Sequence, residues 1–314
     1  MSPQKSTNVH LLFTALATLE HRSPALGGRL ANRLWFRLPA RPSAATRARR
    51  TPACGEPFEV RVGEHGTVRG RVYGDWGRPT AYLVHGWGGW WQQLGALVQP
   101  LVDEGLCVVA FDAPGHGGSD RGRGGRRTTT FLEMAAALGA VEREFGRPTV
   151  VVAHSAGALA TMVAMADLDE PAQGHPPLPH PEALVFVAVP ATIDAMVSTF
   201  VRALGIGPRS TAVMRTLVER RIGRRMGEFD LLSLASAHPR LPRLLLVHDE
   251  DDPKAPFDGA LDVSNAWHDS RLVVTRGLGH RRLLWDPTVV KQVTEFAASA
   301  ADGIRAEAAR ASRA

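Results

Sequence analysis

The sequence predicts an α/β fold: a mostly parallel, doubly wound sheet that carries a small helical cap insertion. Two observations support this prediction. From Phe58 onward, short apolar segments alternate with segments of helical periodicity, which is the pattern of successive βα units. A longer stretch from Ile193 to about His238 is helical and interrupts the alternation. We therefore expect helices on both faces of one sheet, with the longer helical stretch inserted as a cap.

Composition narrows the class of protein. The chain has 314 residues, 44% of them hydrophobic, which is enough for a sizeable core. The net charge of +6 is spread along the sequence without interleaved aromatic residues, so we do not expect nucleic-acid binding. Cys107 lies in an apolar strand and Cys54 in a linker. Two such cysteines do not form a disulfide framework, and they favour a reduced, cytoplasmic location.

The N-terminal residues predict a helix that packs on the main domain. An apolar run from Val9 to Leu19 is interrupted by His10 and two threonines, which argues against a signal peptide. It is also far shorter than the roughly 20 residues of a membrane span. We expect an N-terminal helix and linker over residues 1–52. The main domain should then cover 53–300, with the cap at about 191–240, and a tail should cover 301–314.

The elements of the main domain can be placed in order. Alternating residues at Phe58–Val62 and Val68–Tyr73, with His65-Gly66 between them, predict an antiparallel hairpin. Six further strands are predicted, at Ala81–Val84, Leu106–Phe111, Thr149–Val152, Ala183–Val189, Leu244–Val247 and Leu272–Thr275. Helices are predicted at Trp91–Glu104, Thr130–Phe145, after Ser155, and at Asp286–Ala300.

Ser155 occupies a strand-to-helix turn, in the segment Ala153-His154-Ser155-Ala156-Gly157. So tight a turn needs small residues two positions on either side of the serine, and Ala153 and Gly157 satisfy this requirement. The turn would expose the hydroxyl beside a helix N-terminus. The alternative is a serine that merely caps an ordinary helix.

Other strand ends carry residues that complete an acyl-transfer site. The turn His85–Gly89 would offer the N–H of Trp87, and the N–H of Ala156 follows the serine. Two such donors stabilise an oxyanion. The missing Lys-Ser/Thr pair argues against a phosphate-binding loop at this turn. A plain turn without a function remains an alternative.

A carboxylate and a histidine follow the serine in the chain. The acidic run Asp249–Asp252 ends one strand, and Gly279-His280 follows the next. A carboxylate could orient His280, which in turn would activate the serine hydroxyl. The residues themselves leave open which acid of the run takes this role.

These motifs resemble the α/β-hydrolase superfamily, in particular bacterial serine esterases and lipases, over Phe58 to Ala300. The His85-Gly86-Trp87 turn looks like its oxyanion loop, and Asp112 to Gly117 looks like its D-x-x-G-x-G turn, in which the aspartate is structural. The elbow around Ser155 and the Gly279-His280 loop also correspond. The spacing of the acid loop in the family selects Asp252, with Pro256.

The sequence departs from the family pattern at two positions and offers one alternative acid. Ala153 replaces the first glycine of the elbow, and Asp249 replaces a glycine of the acid loop. Neither change removes a group that the mechanism needs. The backbone conformation of that second glycine is one that aspartate tolerates less well. Asp194, after the sixth strand, is an acid position that some members of the superfamily use.

The resemblance implies a carboxylesterase-like serine hydrolase that cleaves esters or thioesters through an acyl-enzyme, without cofactor or metal. Ser155 would be the nucleophile, His280 the base and Asp252 its orienting acid. Ser155 in place of an aspartate argues against the haloalkane dehalogenase and epoxide hydrolase branches. Amide hydrolysis, perhydrolysis, acyl transfer and C–C hydrolysis use the same triad and stay open. A non-catalytic binding protein on this fold is the alternative from another class.

The expected partner is a small-molecule acyl substrate, with no membrane span; the oligomeric state stays open. Three residues are predicted to contact the substrate, namely His154, Met196 and Phe200. Met196 and Phe200 belong to the predicted cap, whose apolar residues either pack its helices or line an acyl pocket. The crowding of tryptophans at the oxyanion loop indicates an apolar substrate.

Overall fold

The computed structural model describes residues 14, 16–40, 42–48, 51–166, 180–236, 238 and 240–311. One open sheet of eight strands organises them, in the order β1-β2-β4-β3-β5-β6-β7-β8. The strands are β1 (Glu56–Arg61), β2 (Thr67–Tyr73), β3 (Thr80–Val84), β4 (Cys107–Asp112), β5 (Val150–His154), β6 (Ala183–Val187), β7 (Arg243–Asp249) and β8 (Ser270–Thr275). The pairs β1–β2 and β2–β4 are antiparallel and all others parallel. The predicted fold class and hairpin are therefore confirmed.

Helices cover both faces of the sheet. They are α1 (residues 16–22), α2 (Pro24–Trp35), α3 (Ala44–Ala48), α4 (Val98–Asp103), α5 (Phe131–Phe145), α6 (Ala156–Met165), α7 (Ile193–Leu204), α8 (Pro208–Ile222), α9 (Leu231–Ser236), α10 (Phe257–Ala266), α11 (Gly279–Arg282) and α12 (Pro287–Ala311). Short 3₁₀ segments lie at Trp91–Leu97 and Met226–Phe229. The cap, formed by α7, α8, Met226–Phe229 and α9, lies between β6 and β7 as predicted.

Side-chain alternation along the strands divides the core into two layers. In β4, Cys107, Val109 and Phe111 join the layer under α5 and α6, whereas Val108 and Ala110 join the layer under α4 and α12. The other parallel strands alternate in the same way, since successive side chains of a strand point to opposite faces. Burial on both faces explains why strands β3 to β7 are largely apolar in sequence, whereas the edge strand β8 is only partly buried.

Two boundaries differ from the sequence predictions. The final helix was predicted to end at Ala300, but α12 continues to Ala311, and Ala301 is completely buried against the sheet layer. The predicted linker after Pro39 contains the short helix α3. Most of the proline-rich loop at 171–181 lies outside the described residues.

Among the helices that the structure describes, none is both long enough and apolar enough to cross a lipid bilayer.

The strand order places the functional loops together. The chain leaves β3 to form β4 on one side and returns to form β5 on the other. At such a switch in an open parallel sheet, the loops at the carboxyl ends of the two strands diverge and leave a crevice. The turn after β3 and the Ser155 turn after β5 border this crevice, while the loops after β7 and β8 approach it from one side.

Candidate active site

Ser155 forms a strained turn between β5 and α6. Its backbone has φ 53° and ψ −124°, a conformation that costs a non-glycine residue about 1–3 kcal/mol. The turn is crowded on its inner side: a Cβ on Gly157 would lie 2.6 Å from the carbonyl oxygen of Val84. Ala153 is fully buried, so this position accommodates a methyl group in place of the glycine usual in the family. The turn thus places Ser155 at the edge of the crevice.

His280 lies at the start of α11, and Asp252 holds its ring. The Nδ1 of His280 donates to Asp252 Oδ2 at 2.7 Å. With its proton on Nδ1, a neutral His280 presents Nε2 as a proton acceptor. Asp252 Oδ1 accepts hydrogen bonds from the backbone N–H groups of Lys254 (2.8 Å) and Ala255 (3.2 Å). The acid is therefore fixed on both oxygens.

The surroundings of Asp252 keep it ionised. Its side chain is completely buried, and burial alone would raise its pKa. The hydrogen bond from His280, the charge of that ring and the two backbone N–H groups outweigh burial and lower the pKa below its usual value. At neutral pH the carboxylate can therefore stabilise an imidazolium on His280.

Asp249 has a different task from Asp252. It is buried, and its Oδ2 accepts hydrogen bonds from Thr275 Oγ1 (2.6 Å) and from the N–H of Leu278 (2.9 Å). Burial raises its pKa, but these bonds and others from backbone N–H groups lower it overall. Asp249 thus anchors the loop that carries His280. Its φ is not positive, so an aspartate fits this position without the strain expected from the sequence.

The other candidate acids do not contact His280. Asp251 is exposed and accepts a hydrogen bond from the N–H of Gly277. Asp194 lies in the first turn of the cap helix α7, where its exposed carboxylate forms a 2.7 Å ion pair with Arg215. The geometry therefore favours Asp252 over the alternatives that the sequence left open.

The turn after β3 and the Ser155 turn after β5 each contribute one backbone N–H group, that of Trp87 and that of Ala156. A Cβ on Gly86 would lie 3.0 Å from the Cβ of Ser155, so the turn approaches the serine closely. Within the described part of the chain, neither the N–H of Trp87 nor that of Ala156 has a hydrogen-bond acceptor. Unpaired N–H groups beside a helix N-terminus suit a developing negative charge.

Hydrogen bonds to buried side chains fix the turn after β3 and the backbone next to it. The His116 Nε2 accepts a hydrogen bond from the N–H of Gly88 at 2.9 Å. His85 accepts one from the N–H of Ala113 at 3.0 Å, and burial lowers the pKa of His85. Asp112 accepts one from the N–H of Trp91 at 2.8 Å. The structural role that the resemblance implied for Asp112 matches these contacts.

His154 lies away from the position predicted for it. The residue is 4% exposed and does not line the cavity that contains Ser155. Its Nε2 donates to the backbone carbonyl of His280 at 2.9 Å, and the two rings lie 4.9 Å apart. His154 therefore links the serine turn to the histidine loop, and it is too enclosed to contact a substrate. The sequence pattern did not distinguish these two roles.

A cavity of about 340 Å³ opens at Ser155 and His280. Met196 and Phe200 line it, and their contact with a substrate stays a prediction. Sequence reasoning missed much of the remaining wall, because those residues come from distant segments without a common motif. They are chiefly apolar and include Trp35, Phe36, Phe131, Leu132, Ile193, Val218, Ile222, Met226 and Phe229. A chiefly apolar wall of this kind suits an apolar group next to the reacting atoms.

Comparisons with known proteins agree with this fold. A model of the alpha/beta hydrolase family matches residues 81–293, and the chain belongs to that family. No curated protein sequence matches it significantly. Among solved structures, an esterase from Pyrococcus furiosus is 16% identical, with a TM-score of 0.58, over 83% of this chain and 96% of its own.

Two further solved structures have the same fold. A monoacylglycerol lipase from Paleococcus ferrophilus is 20% identical, with a TM-score of 0.52, over 78% of this chain and 99% of its own. An esterase from Rhodococcus is 20% identical, with a TM-score of 0.51, over 77% of this chain and 98% of its own. The structural similarity shows that the fold is shared. The sequence identities are too low to show that the reaction is shared, so the reaction is argued from the site.

The contacts of Asp252, Asp249 and Asp251 predict different effects of the same substitution. Asp252→Asn should lower kcat by about 10⁴-fold, because an amide neither stabilises the imidazolium nor fixes the correct tautomer of His280. Asp251→Asn, at an exposed position, is the matched control: an asparagine oxygen can still accept the hydrogen bond from Gly277, so kcat should stay close to that of wild type. Asp249→Asn should mainly lower the free energy of unfolding. A larger loss of kcat in Asp251→Asn or Asp249→Asn than in Asp252→Asn would contradict the assignment.

The hydrogen bond from His154 to the His280 carbonyl predicts a role in positioning. His154→Leu should lower kcat about tenfold, because the carbonyl loses a partner whose removal costs roughly 1–3 kcal/mol. His154→Gln keeps an N–H donor near the same point and should restore most of the activity. Equal activity in the Leu and Gln variants would show that the bond is dispensable.

His154 also predicts a dependence of stability on pH. Burial lowers the pKa of His154 to about 3, so the native state keeps this ring neutral. The unfolded chain takes up the proton below a pH of about 6.5, and stability should fall as the pH decreases from there towards 3, by up to about 1.4 kcal/mol per pH unit. Urea unfolding at pH 7.5 and pH 5 should show a smaller loss in His154→Gln than in wild type.

Proposed function

We propose that the protein is a serine hydrolase that cleaves carboxylic esters, or thioesters, of apolar acyl groups. The observation that carries this proposal is the 2.7 Å hydrogen bond between Asp252 and His280, on a loop whose histidine shares a cavity with Ser155. A buried carboxylate, an oriented imidazole and a serine on a strained turn are the components of nucleophilic acyl transfer.

The proposed reaction begins with attack on the acyl carbonyl carbon. Ser155 Oγ forms the new bond while His280 Nε2 takes its proton, and Asp252 stabilises the resulting imidazolium. The N–H groups of Trp87 and Ala156 donate to the oxyanion; one such donor is typically worth about 2.7–4 kcal/mol. The ester C–O bond then breaks, and His280 returns the proton to the leaving alcohol.

Hydrolysis of the acyl-enzyme repeats these steps with water. His280 removes a proton from water, the hydroxide attacks the acyl carbon, and the Ser155 oxygen leaves with the proton held by His280. The products are a carboxylic acid and free enzyme. The apolar cavity wall supports an acyl group with a hydrocarbon chain. Esterases and a lipase among the similar structures are consistent with this reaction class.

We also propose a cytoplasmic location. Both cysteines of the chain are unpaired, Cys54 at the surface and Cys107 in the core. Free thiols of this kind suit a reducing compartment.

The proposal predicts turnover of p-nitrophenyl esters that depends on Ser155. Wild type should hydrolyse the octanoate ester, and Ser155→Ala should lower kcat at least about a thousandfold, because the nucleophile is removed. Ser233→Ala, at an exposed position in the cap, is the control and should retain full activity.

Two results would contradict the proposal. One is equal turnover by wild type and Ser155→Ala, which would place the chemistry elsewhere. The other is no turnover by folded wild type although octanoate binds, which would favour a non-catalytic binding protein.

A further inference from the structure

We define the N-terminal segment as residues 16–40. It lies outside residues 81–293, which the family model matches, and two of its residues line the cavity that contains Ser155. Helix α2 of this segment contacts cap helix α8. The segment then runs from the end of α2 towards the turn after β3. Its contacts fall into three groups, with the cap, with the turns around the site, and with the cavity.

Its contact with the cap is close and specific. A Cβ on Gly27 would lie 2.3 Å from Ser210 Oγ, and one on Gly28 would lie 2.5 Å from the Cβ of Val213. The two helices therefore approach each other where α2 lacks side chains. The Glu20 carboxylate accepts hydrogen bonds from the N–H groups of Arg209 (2.8 Å) and Ser210 (2.9 Å), which satisfies unpaired donors in the first turn of α8.

The end of the segment is fixed to the turns around the site. The N–H of Leu38 donates to the carbonyl of Arg127 at 2.8 Å, and the Arg127 guanidinium donates back to the carbonyl of Leu38. Pro39 packs on Gly88, since a Cβ on that glycine would lie 2.3 Å from the Cγ of Pro39. The segment therefore connects the cap to the turn that carries the Trp87 N–H.

Between these two attachments, Trp35 and Phe36 face the cavity. Both line it together with Ser155 and His280. The Trp35 indole packs edge-to-face on Phe200, with centroids 5.1 Å apart. Phe36 is buried, and the Arg221 guanidinium lies 4.1 Å from its ring centroid, a cation–π contact. Trp35 is thus held on one side by its own helix and on the other by the cap.

We propose that Trp35 is a specificity-determining residue, and that the N-terminal segment supplies a fixed wall that limits the length of the acyl group. This inference rests on the proposed function, and it names the part of the site that selects among substrates. An indole packed against Phe200 in the wall of this cavity occupies space that a smaller side chain would leave to the substrate. A pocket can discriminate about 10–200-fold per methylene.

The test compares acyl-chain preference in matched variants. In Trp35→Ala, the ratio of kcat/KM for p-nitrophenyl dodecanoate over butyrate should rise at least about fivefold, because the opened wall admits the longer chain. Trp35→Phe should give an intermediate ratio. Trp76→Ala is the control: Trp76 is 55% exposed and stacks on Phe145, so its ratio should stay within about twofold of wild type.

Thermal unfolding of each variant separates a loss of specificity from a loss of folding. If Trp35→Ala is folded and its ratio equals that of wild type, the inference is overturned. If Trp35→Ala does not fold, Trp35→Phe decides, and an unchanged ratio there overturns it as well.

A binding measurement separates this inference from the proposed function. In the Ser155→Ala background, which cannot turn over, calorimetry gives the dissociation constants of dodecanoate and hexanoate. The preference for dodecanoate should rise when Trp35→Ala is added. If the preference for dodecanoate rises but wild type hydrolyses no ester, the role of Trp35 in limiting chain length is supported and the proposed hydrolase reaction is rejected. An unchanged preference, or no binding of either carboxylate, would overturn the inference.

Discussion

The turn at Ser155 is the constraint on which the rest of the site depends. Its positive φ is unfavourable for a serine, and the surrounding structure must enforce it. The core of β5 does so on one side and the fully buried helix α6 on the other. Close backbone approach at Gly86 and Gly157 leaves no room for the turn to relax. A strained serine is held because the two-layer core around it is apolar and continuous.

Buried polar side chains carry this rigidity from the core to the loops. Asp252 fixes the His280 ring, Asp249 fixes the loop that bears it, and His154 joins that loop to the serine turn. On the other side of the crevice, His116 holds the backbone of Gly88. Each group satisfies loop donors or acceptors that would otherwise be costly to bury. These hydrogen bonds therefore fix the positions of the loop residues, although the loops lie outside the sheet.

The sequence predicted the fold and the order of its elements because local patterns determine both. Alternation gave the hairpin, continuous apolar runs gave the buried strands, and the Ser155 segment stood out by its small neighbours. The resemblance selected Asp252, whose partner in the structure is His280. Long-range packing was beyond local patterns. Trp35 and Ser155 are 120 residues apart in the sequence, and nothing in the sequence around Trp35 indicates that both line one cavity. The contact of His154 depends likewise on the carbonyl of His280, which is distant in sequence.

The central claim is that Ser155 is a nucleophile activated by His280, and labelling with a fluorophosphonate tests it most directly. The phosphorus centre reacts with a serine that has both a base and oxyanion donors. Mass spectrometry of wild type should show one adduct, on the peptide that contains Ser155. The adduct should be absent in Ser155→Ala and form far more slowly in His280→Ala. No adduct on folded wild type, or an adduct on another serine, would contradict the account.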